Sequence, residues 1–310
     1  MRGMSGGAGS FVEGAVGGAI GIPWAFMSKM AAGAAAGIGG GMLVRDIVQT
    51  REEIANRNIE FQNMMSPLIS TGANASNARQ VSKDVLNQSV AFGLPANAIS
   101  QAQYLVQGSA GFMSQQEKQD IATAAIRLAK TTGTTEVTFI ANAVLTAMKA
   151  YPEFFKNAEA AATYIGKTSE YSKLFSPEQT SSFLPDILTT FKALGYSPEE
   201  AAASTIIITS AAGNPEKAMT SLRNIPIEMR KARESGILQE GDIIQTMLEK
   251  LSKLNPDDVS KLTGNRTFVG LQNLIMHRED LPTAMALEGI SKESLDSGYS
   301  YSKDITGKRF

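Results

Sequence analysis

Helix start and stop signals recur along this chain and divide most of it into short segments. A Ser or Asn followed by Pro and an acidic residue, which is typical of a helix N-terminus, begins at Ser176, Ser197, Asn214 and Asn255. Ser114-Gln115-Gln116-Glu117 has the form of a capping box. Glycines follow the apolar runs, where a left-handed C-terminal cap needs them, at Gly93, Gly111, Gly133, Gly195, Gly213 and Gly236. These signals predict an all-α protein, arranged as a compact multi-helix array or a short solenoid.

Apolar residues recur at helical spacing between these signals. The clearest stripes are Ile121, Ala125, Leu128 and Ala129, and then Ile140, Val144, Leu145 and Met148. The β-branched run Thr205-Ile206-Ile207-Ile208-Thr209 has the composition of a strand. Because this run lies between a capping signal and Gly213, we predict that it is helical.

The first 44 residues differ from the rest, since they hold 13 of the 28 glycines and only three charged side chains. Several of these glycines recur at every fourth position. On a helix this spacing makes a smooth stripe that another backbone can approach closely. The predicted helix-packing or membrane-contact residues are Gly14, Gly17, Gly18, Gly21, Gly33, Gly37 and Gly41.

Two interpretations of residues 11–44 fit this composition. In the first, the segment inserts into a membrane or packs against further copies of the chain. In the second, it is a hairpin of small residues buried inside the same fold. Pro23 and Lys29 count against a permanent membrane span, because a proline breaks a helix and a lysine is costly at the bilayer centre.

The composition excludes several kinds of site. The chain has no cysteine, which excludes disulfides, thiolate zinc sites and thiol nucleophiles. Its 29 basic and 30 acidic residues leave a formal charge of −1, so no charge excess points to nucleic acid. We expect no cofactor, no metal and no sequence-specific nucleic-acid partner.

Individual residues that could carry chemistry have simpler structural interpretations. The single histidine, His277, is predicted to contact the end of a helix over 266–278 rather than act as a general base. Paired carboxylates occur at 52/53, 199/200, 257/258 and 279/280, and two of these pairs fall in first helical turns, where the helix dipole accounts for them. Gly166-Lys167-Thr168 lacks the earlier glycine of a phosphate-binding loop. The sequence therefore predicts a protein that is not an enzyme.

Two blocks of the chain resemble each other. Phe92-Gly93-Leu94-Pro95 leads through a helical run to Gly111, and Leu194-Gly195-Tyr196-Ser197 leads through a similar run to Gly213. A recurring helical pair of this kind is typical of a duplicated layer or a solenoid. The alternative interpretation is that capped helices of equal length look alike.

These blocks resemble the core domain of phage tail tape measure proteins. The resemblance rests on Gly93 to Gly133, with Phe112-Met113-Ser114 and Ile126-Arg127-Leu128-Ala129-Lys130, and on the run from Ala193 to Ala202. Ala212-Gly213 and the run from Ala218 to Asn224 resemble the motif that closes that domain, and the Gly/Ala-rich lead-in is also typical of the family. The resemblance covers residues 45–280.

The resemblance implies a non-enzymatic component of the virion tail that acts in tail assembly and genome delivery. Its expected partners are further copies of itself, tail tube or tail tip proteins and the host membrane, with the host cell envelope as its place during delivery. Tape measures are usually far longer, so the part that sets tail length is expected to be short, missing or encoded elsewhere. The rival interpretation is a helical adaptor or solenoid that binds another protein.

The sequence predicts three regions. Residues 1–44 form the Gly/Ala-rich apolar helical segment, residues 45–290 the helical core that resembles the tape measure, and residues 291–310 a polar C-terminal tail. Within that tail, Lys303 to Phe310 is predicted to be a tail or docking peptide.

Overall fold

The computed structural model describes residues 75–302, except for Phe112, Leu174, Gly213, 240–243, Pro256 and 260–264. The described residues form α-helices and one 3₁₀ helix, and they contain no β-strand. The helices are α1 Ala75–Phe92, α2 Ala96–Ser109, α3 Gln115–Thr132, α4 Val137–Ala150, α5 Ala158–Ser172, α6 Pro177–Ala193, α7 Pro198–Ala212, α8 Pro215–Glu234, α9 Ile244–Ser252, α10 Asn265–Met276, the 3₁₀ helix Arg278–Asp280, α11 Leu281–Met285 and α12 Lys292–Asp296. The predicted all-α class is confirmed, and Thr205–Thr209 lies inside α7 as predicted.

The helix boundaries follow the capping signals closely. Ser114 and Ser176 each form a reciprocal capping box with the residue three positions later, and Asn214 accepts a hydrogen bond from the backbone N–H of Lys217 at 3.3 Å. The predicted glycine caps have left-handed backbone angles, with φ of +67°, +76°, +82° and +76° at Gly93, Gly133, Gly195 and Gly236.

One predicted glycine cap is wrong. Helix α2 ends at Ser109, and its C-cap is Ala110 with φ −101°. Gly111 does not have the positive φ that a left-handed cap requires. Ala110 is fully buried and its N–H donates to the carbonyl of Val106, so this helix ends at a residue with negative φ and without a left-handed glycine. Gly213 lies outside the described residues.

Helices α1 to α8 pack in a regular order. Each of them packs against the helices one and two positions along the chain, so that α4 contacts α2, α3, α5 and α6, and α6 contacts α4, α5, α7 and α8. This pattern places odd-numbered and even-numbered helices in two layers, as in solenoids built from helical pairs. The predicted compact array or short solenoid is therefore what the described residues form.

The last helices pack back on α5, α7 and α8. Helix α10 packs on α7 and α8, α11 packs on α7, and α12 packs on α5. As a result α7 has neighbours on nearly all sides, and eleven of its fifteen residues are buried, namely Pro198 and Glu200–Thr209. Two buried tyrosines hold its N-terminus, since the hydroxyls of Tyr151 and Tyr164 donate to the carbonyls of Tyr196 at 2.9 Å and Pro198 at 2.7 Å.

The predicted stripes face the core. Ile121, Ala125, Leu128 and Ala129 are all buried on α3, and Ile140, Val144 and Leu145 are buried on α4 with Met148 partly buried beside them. The boundary predicted at residue 44 lies outside the described residues. The region boundaries remain predictions, although the structure shows that α12 and Tyr301, which lie in the range 291–310, pack against α5.

Candidate functional site

The predicted glycine stripe cannot be placed on this fold. Gly14, Gly17, Gly18, Gly21, Gly33, Gly37 and Gly41 all lie outside the described residues. Their role in helix packing or membrane contact stays a prediction. Within the part of the chain that the structure describes, no helix is both long enough and apolar enough to span a bilayer.

His277 lies on the surface immediately after α10. Its side chain is 49% exposed, and its Nδ1 lies 3.1 Å from Oδ2 of Asp280, three residues further along the chain. The predicted helix over 266–278 ends earlier, at Met276, so the ring follows the helix end instead of lying in its last turn. Across residues 75–302, with the gaps given above, no group of three or more His, Asp or Glu side chains is arranged to hold a metal ion.

The carboxylate pair at 199/200 has a structural role. Glu200 accepts the N–H of Ser197 at 2.7 Å, and its own N–H donates to Oγ of Ser197 at 3.2 Å, which is the predicted cap of α7. Its Oε1 also accepts the N–H of Ile244 at 2.7 Å, so one carboxyl group joins the first turns of α7 and α9. Burial raises the pKa of Glu200, more than the hydrogen bonds from Ser197 and Ile244 lower it.

The Gly166-Lys167-Thr168 sequence lies in the middle of α5, whereas a phosphate-binding loop precedes a helix. Lys167 is nevertheless unusual, because its side chain is only 5% exposed. Its ammonium group lies 5.4 Å from the ring centroids of Tyr171 and Tyr301 and 5.5 Å from that of Tyr299. We call these four residues the lysine–tyrosine cluster.

The lysine in this cluster is held as a cation. Burial disfavours the charged form, but hydrogen bonds with Tyr299 and with Glu170 outweigh burial and raise the pKa of Lys167 above its ordinary value. The Nζ atom lies 3.0 Å from Oε2 of Glu170. Three aromatic faces and one carboxylate therefore replace the water that a buried ammonium group loses.

Two glycines allow the chain to close over the cluster. A Cβ atom on Gly289 would come within 2.6 Å of Cγ of Lys167, and one on Gly166 would come within 2.6 Å of the Tyr301 ring. Gly289 also has φ +76°, which side-chain-bearing residues rarely adopt. Any larger residue at these two positions would push the C-terminal segment away from α5.

Polar contacts hold the rest of residues 287–302 on the array. The N–H of Tyr301 donates to Oγ1 of Thr163 at 3.2 Å, and Nζ of Lys156 lies 2.9 Å from Oδ1 of Asp296. Lys292 donates from Nζ to the carbonyl of Glu153 at 3.0 Å. The sequence gives no local signal for these contacts, since Ser300 and Tyr301 are both buried and Tyr299 is half-buried, with no alternation along the segment.

The surface of the solenoid carries scattered apolar side chains. Among the described residues, the exposed large ones are Leu86, Val90, Tyr104, Phe139, Ile227 and Met276. Leu86 and Val90 lie one turn apart on α1, the first described helix, where they share a face. Because both side chains are exposed on one face, this face is a candidate contact surface.

The comparisons with known proteins give one family. The sequence profile of the family described as phage-related minor tail protein matches residues 94–293. The match begins between α1 and α2 and ends within α12, so it covers most of the described helices. No curated protein and no solved structure matches the chain.

Proposed function

Because the chain belongs to the phage-related minor tail protein family, we propose that it is the folded module of a tail tape measure protein. As a member of that family the chain is a component of a phage tail. In this proposal it is not an enzyme, and it acts in tail assembly and later in genome delivery. The family match over residues 94–293 is the observation that carries the proposal.

The lengths of the helices favour a module over a ruler. The longest described helix, α8, has 20 residues and spans about 30 Å at ~1.5 Å per residue. The helices turn back on one another instead of following a single axis. In our proposal, the part that sets tail length is therefore short or encoded elsewhere, and this chain contributes the compact part.

We propose that the module contacts copies of itself and tail tube or tail tip proteins. The exposed apolar residues on α1, α2 and α4 support this part of the proposal, because exposed apolar side chains that share a helix face favour association. The formal charge of −1 gives no basic excess that would bind nucleic acid, so the proposal includes no sequence-specific nucleic-acid partner.

The location of the chain can be tested on particles. We expect mass spectrometry of purified virions to detect peptides from α2 to α12, and labelling of the chain to mark the tail. Absence of these peptides from particles that contain the other tail proteins would contradict the proposal. A chain present only in infected cells would indicate an assembly factor that does not remain in the tail.

The tape measure role can be tested by changing chain length. A helical insertion of about 21 residues before α1 would lengthen tails by about 30 Å if this chain lies along the tail and sets its length. We expect no change, because we assign this chain to the compact module. A proportional change in tail length, measured by electron microscopy, would show that the chain is itself the ruler.

The N-terminal segment is proposed to insert into the host envelope during delivery or to pack against other copies. The test compares two full-length variants, Gly37→Leu and Gly39→Leu. The first blocks the glycine stripe, while the second adds the same side chain about 200° away on a helix, since each residue turns about 100°. We expect only Gly37→Leu to reduce liposome leakage or self-association, and equal effects of both variants would contradict a stripe.

A helical adaptor that binds a protein segment is the second candidate function. The packing of α1 to α8 against helices one and two positions along the chain favours it, because such solenoids bind partners along a layer of helices. Affinity capture by the full chain separates the candidates. Recovery of tail proteins alone supports the tail module, whereas a host protein bound without them supports the adaptor.

A further inference from the structure

Residues 288–302 cross α5 as a strap that includes α12. Five of these fifteen residues are buried, against twelve of the fifteen residues of α5. Only three of the five, Ile290, Leu295 and Tyr301, have large apolar side chains. Because little apolar surface holds the strap, we expect it to open at a lower free energy than the core.

Polar contacts hold much of the strap in place. The backbone N–H of Lys292 donates to Oε1 of Glu199 at 3.2 Å, and its Nζ donates to the carbonyl of Glu153 at 3.0 Å. The hydroxyl of Ser300 donates to a carboxylate oxygen of Glu159. Water can replace each of these partners when the strap leaves, so breaking these contacts costs little net free energy.

Lys167 retains half of its partners without the strap. Glu170 and Tyr171 belong to α5, as Lys167 does, whereas Tyr299 and Tyr301 belong to the strap. Opening therefore exchanges two aromatic rings for water, around an ammonium group that keeps its carboxylate. A buried apolar side chain at this position would lose its stabilisation on opening, whereas a lysine regains hydration.

We propose that the strap detaches from α5 as a unit while the other helices of the array stay folded, so that the chain has a closed and an open form. In the closed form the strap covers Thr163, Gly166 and Lys167. In the open form these residues of α5 form an exposed surface around the ammonium group of Lys167. The strap thus controls whether this face of α5 is accessible to other proteins.

Native-state hydrogen exchange of the full chain tests the opening. The N–H of Leu295 donates to the carbonyl of Ser291 within the strap, and the N–H of Tyr301 donates to Oγ1 of Thr163 on α5. If the strap leaves as a unit, the protection factors of Leu295 and Tyr301 agree within about fivefold and lie at least about tenfold below those of α4. A smaller difference from α4, or a larger difference between the two strap residues, would overturn the proposal.

Two glycines of the strap supply a matched pair of variants. Gly289 and Gly298 have φ of +76° and +82°, so an alanine strains the backbone similarly at both positions. A Cβ atom at Gly289 would lie 2.6 Å from Cγ of Lys167, whereas one at Gly298 meets no atom within 4 Å. We expect Gly289→Ala to lower the protection of Tyr301 at least about tenfold more than Gly298→Ala does, with the protection of α4 unchanged.

The amine of Lys167 gives a second readout in the same two variants. Its side chain is only 5% exposed, so an amine-reactive ester reaches it chiefly in the open form. We expect acetylation of Lys167, measured by peptide mass spectrometry, to be at least about fivefold faster in Gly289→Ala than in Gly298→Ala. Equal effects of the two variants would overturn the proposal. A loss of α4 protection in Gly289→Ala would also overturn it, because the strap would then be part of the cooperative core.

Discussion

Helices α2 and α7 have similar boundaries in sequence and very different surroundings in the fold. Both follow a glycine with positive φ, Gly93 and Gly195, and both contain an apolar triplet in their second half. Yet among the helices that the structure describes, α2 packs mainly on α1, α3 and α4, whereas α7 packs on α5, α6, α8, α10 and α11. Local signals therefore determine where each helix begins and ends, while the returning C-terminal helices determine which of the two becomes the core.

The triplets make the difference concrete. In Tyr104-Leu105-Val106 the first residue is exposed, the second half-buried and the third buried, while Ile206, Ile207 and Ile208 are all buried. The β-branched triplet that has the composition of a strand thus lies on a helix with eleven of its fifteen residues buried. A helix with neighbours on all sides needs apolar residues all round, which removes the usual amphipathic pattern.

The largest effect on the free energy of unfolding is expected when α7 receives the residue that α2 has at the equivalent position, three residues before the triplet. Ala203 on α7 is fully buried, and its counterpart on α2 is the exposed Gln101. Ala203→Gln adds volume to a closed core and buries an amide without a partner, so we expect the free energy of unfolding to fall by about 4 kcal/mol. Urea denaturation measures this change.

The matched control is the reverse change on the other helix. Gln101→Ala should alter the free energy of unfolding by less than about 0.5 kcal/mol, because the side chain is exposed. Similar losses in the two variants would mean that α2 and α7 are equally enclosed, against the difference described above.

The second largest effect is expected at the cap of α7, which α2 lacks. The N-cap of α2 is Pro95, which makes no side-chain cap, whereas Glu200 accepts the N–H groups of Ser197 and Ile244. Glu200→Ala leaves both donors without this acceptor, and we expect a loss of about 3 kcal/mol in urea denaturation. Glu200→Gln keeps one acceptor oxygen but turns its NH2 group toward the other N–H donor, so it should recover at most about half of the loss. A Gln variant as stable as the wild type would contradict the role of the two oxygens.

The same residue predicts a pH dependence. Burial raises the pKa of Glu200 above its ordinary value of 4.5, so the folded protein holds this proton more tightly than the unfolded chain. The resulting stabilisation is fully present below pH 4.5 and is lost as the pH rises through the raised pKa of the folded state. We expect the stability of the wild type, relative to Glu200→Gln, to decline over that window in urea denaturation at a series of pH values. A difference that rises with pH would contradict the raised pKa.

The sequence predicts the boundaries of these helices better than their contacts. Caps such as Ser114, Ser176 and Gly195 act within five residues, and the predicted starts and stops agree with the structure at nearly all described positions. Gly111 is the exception, because the buried Ala110 ends α2 first. The lysine–tyrosine cluster joins Lys167 to Tyr299 and Tyr301, and both tyrosines lie far from Lys167 in the chain. No local sequence pattern reports such a long-range contact.

A smaller effect should be equal in the two regions. Gly93 and Gly195 have φ of +67° and +82°, and an added Cβ at either position meets no atom within 4 Å. Gly93→Ala and Gly195→Ala should each cost about 1 kcal/mol, because only the left-handed backbone opposes the new methyl group. Thermal or urea denaturation measures both. A much larger loss for Gly195→Ala would show that the environment of α7, and not the backbone alone, determines the cost of its cap.

The smallest effect is expected at the first position of the α2 triplet. Tyr104 is 39% exposed, and Tyr104→Ser should change the free energy of unfolding of the monomer by less than about 0.5 kcal/mol. Its buried counterpart supplies the contrast, since Ile206→Ser removes a buried apolar side chain from α7 and should cost about 2 kcal/mol or more. Both measurements are made at several protein concentrations. A loss at Tyr104 that grows with concentration would show that α2 acquires a neighbour from another copy, because association adds stability by mass action and only a covered side chain contributes to it.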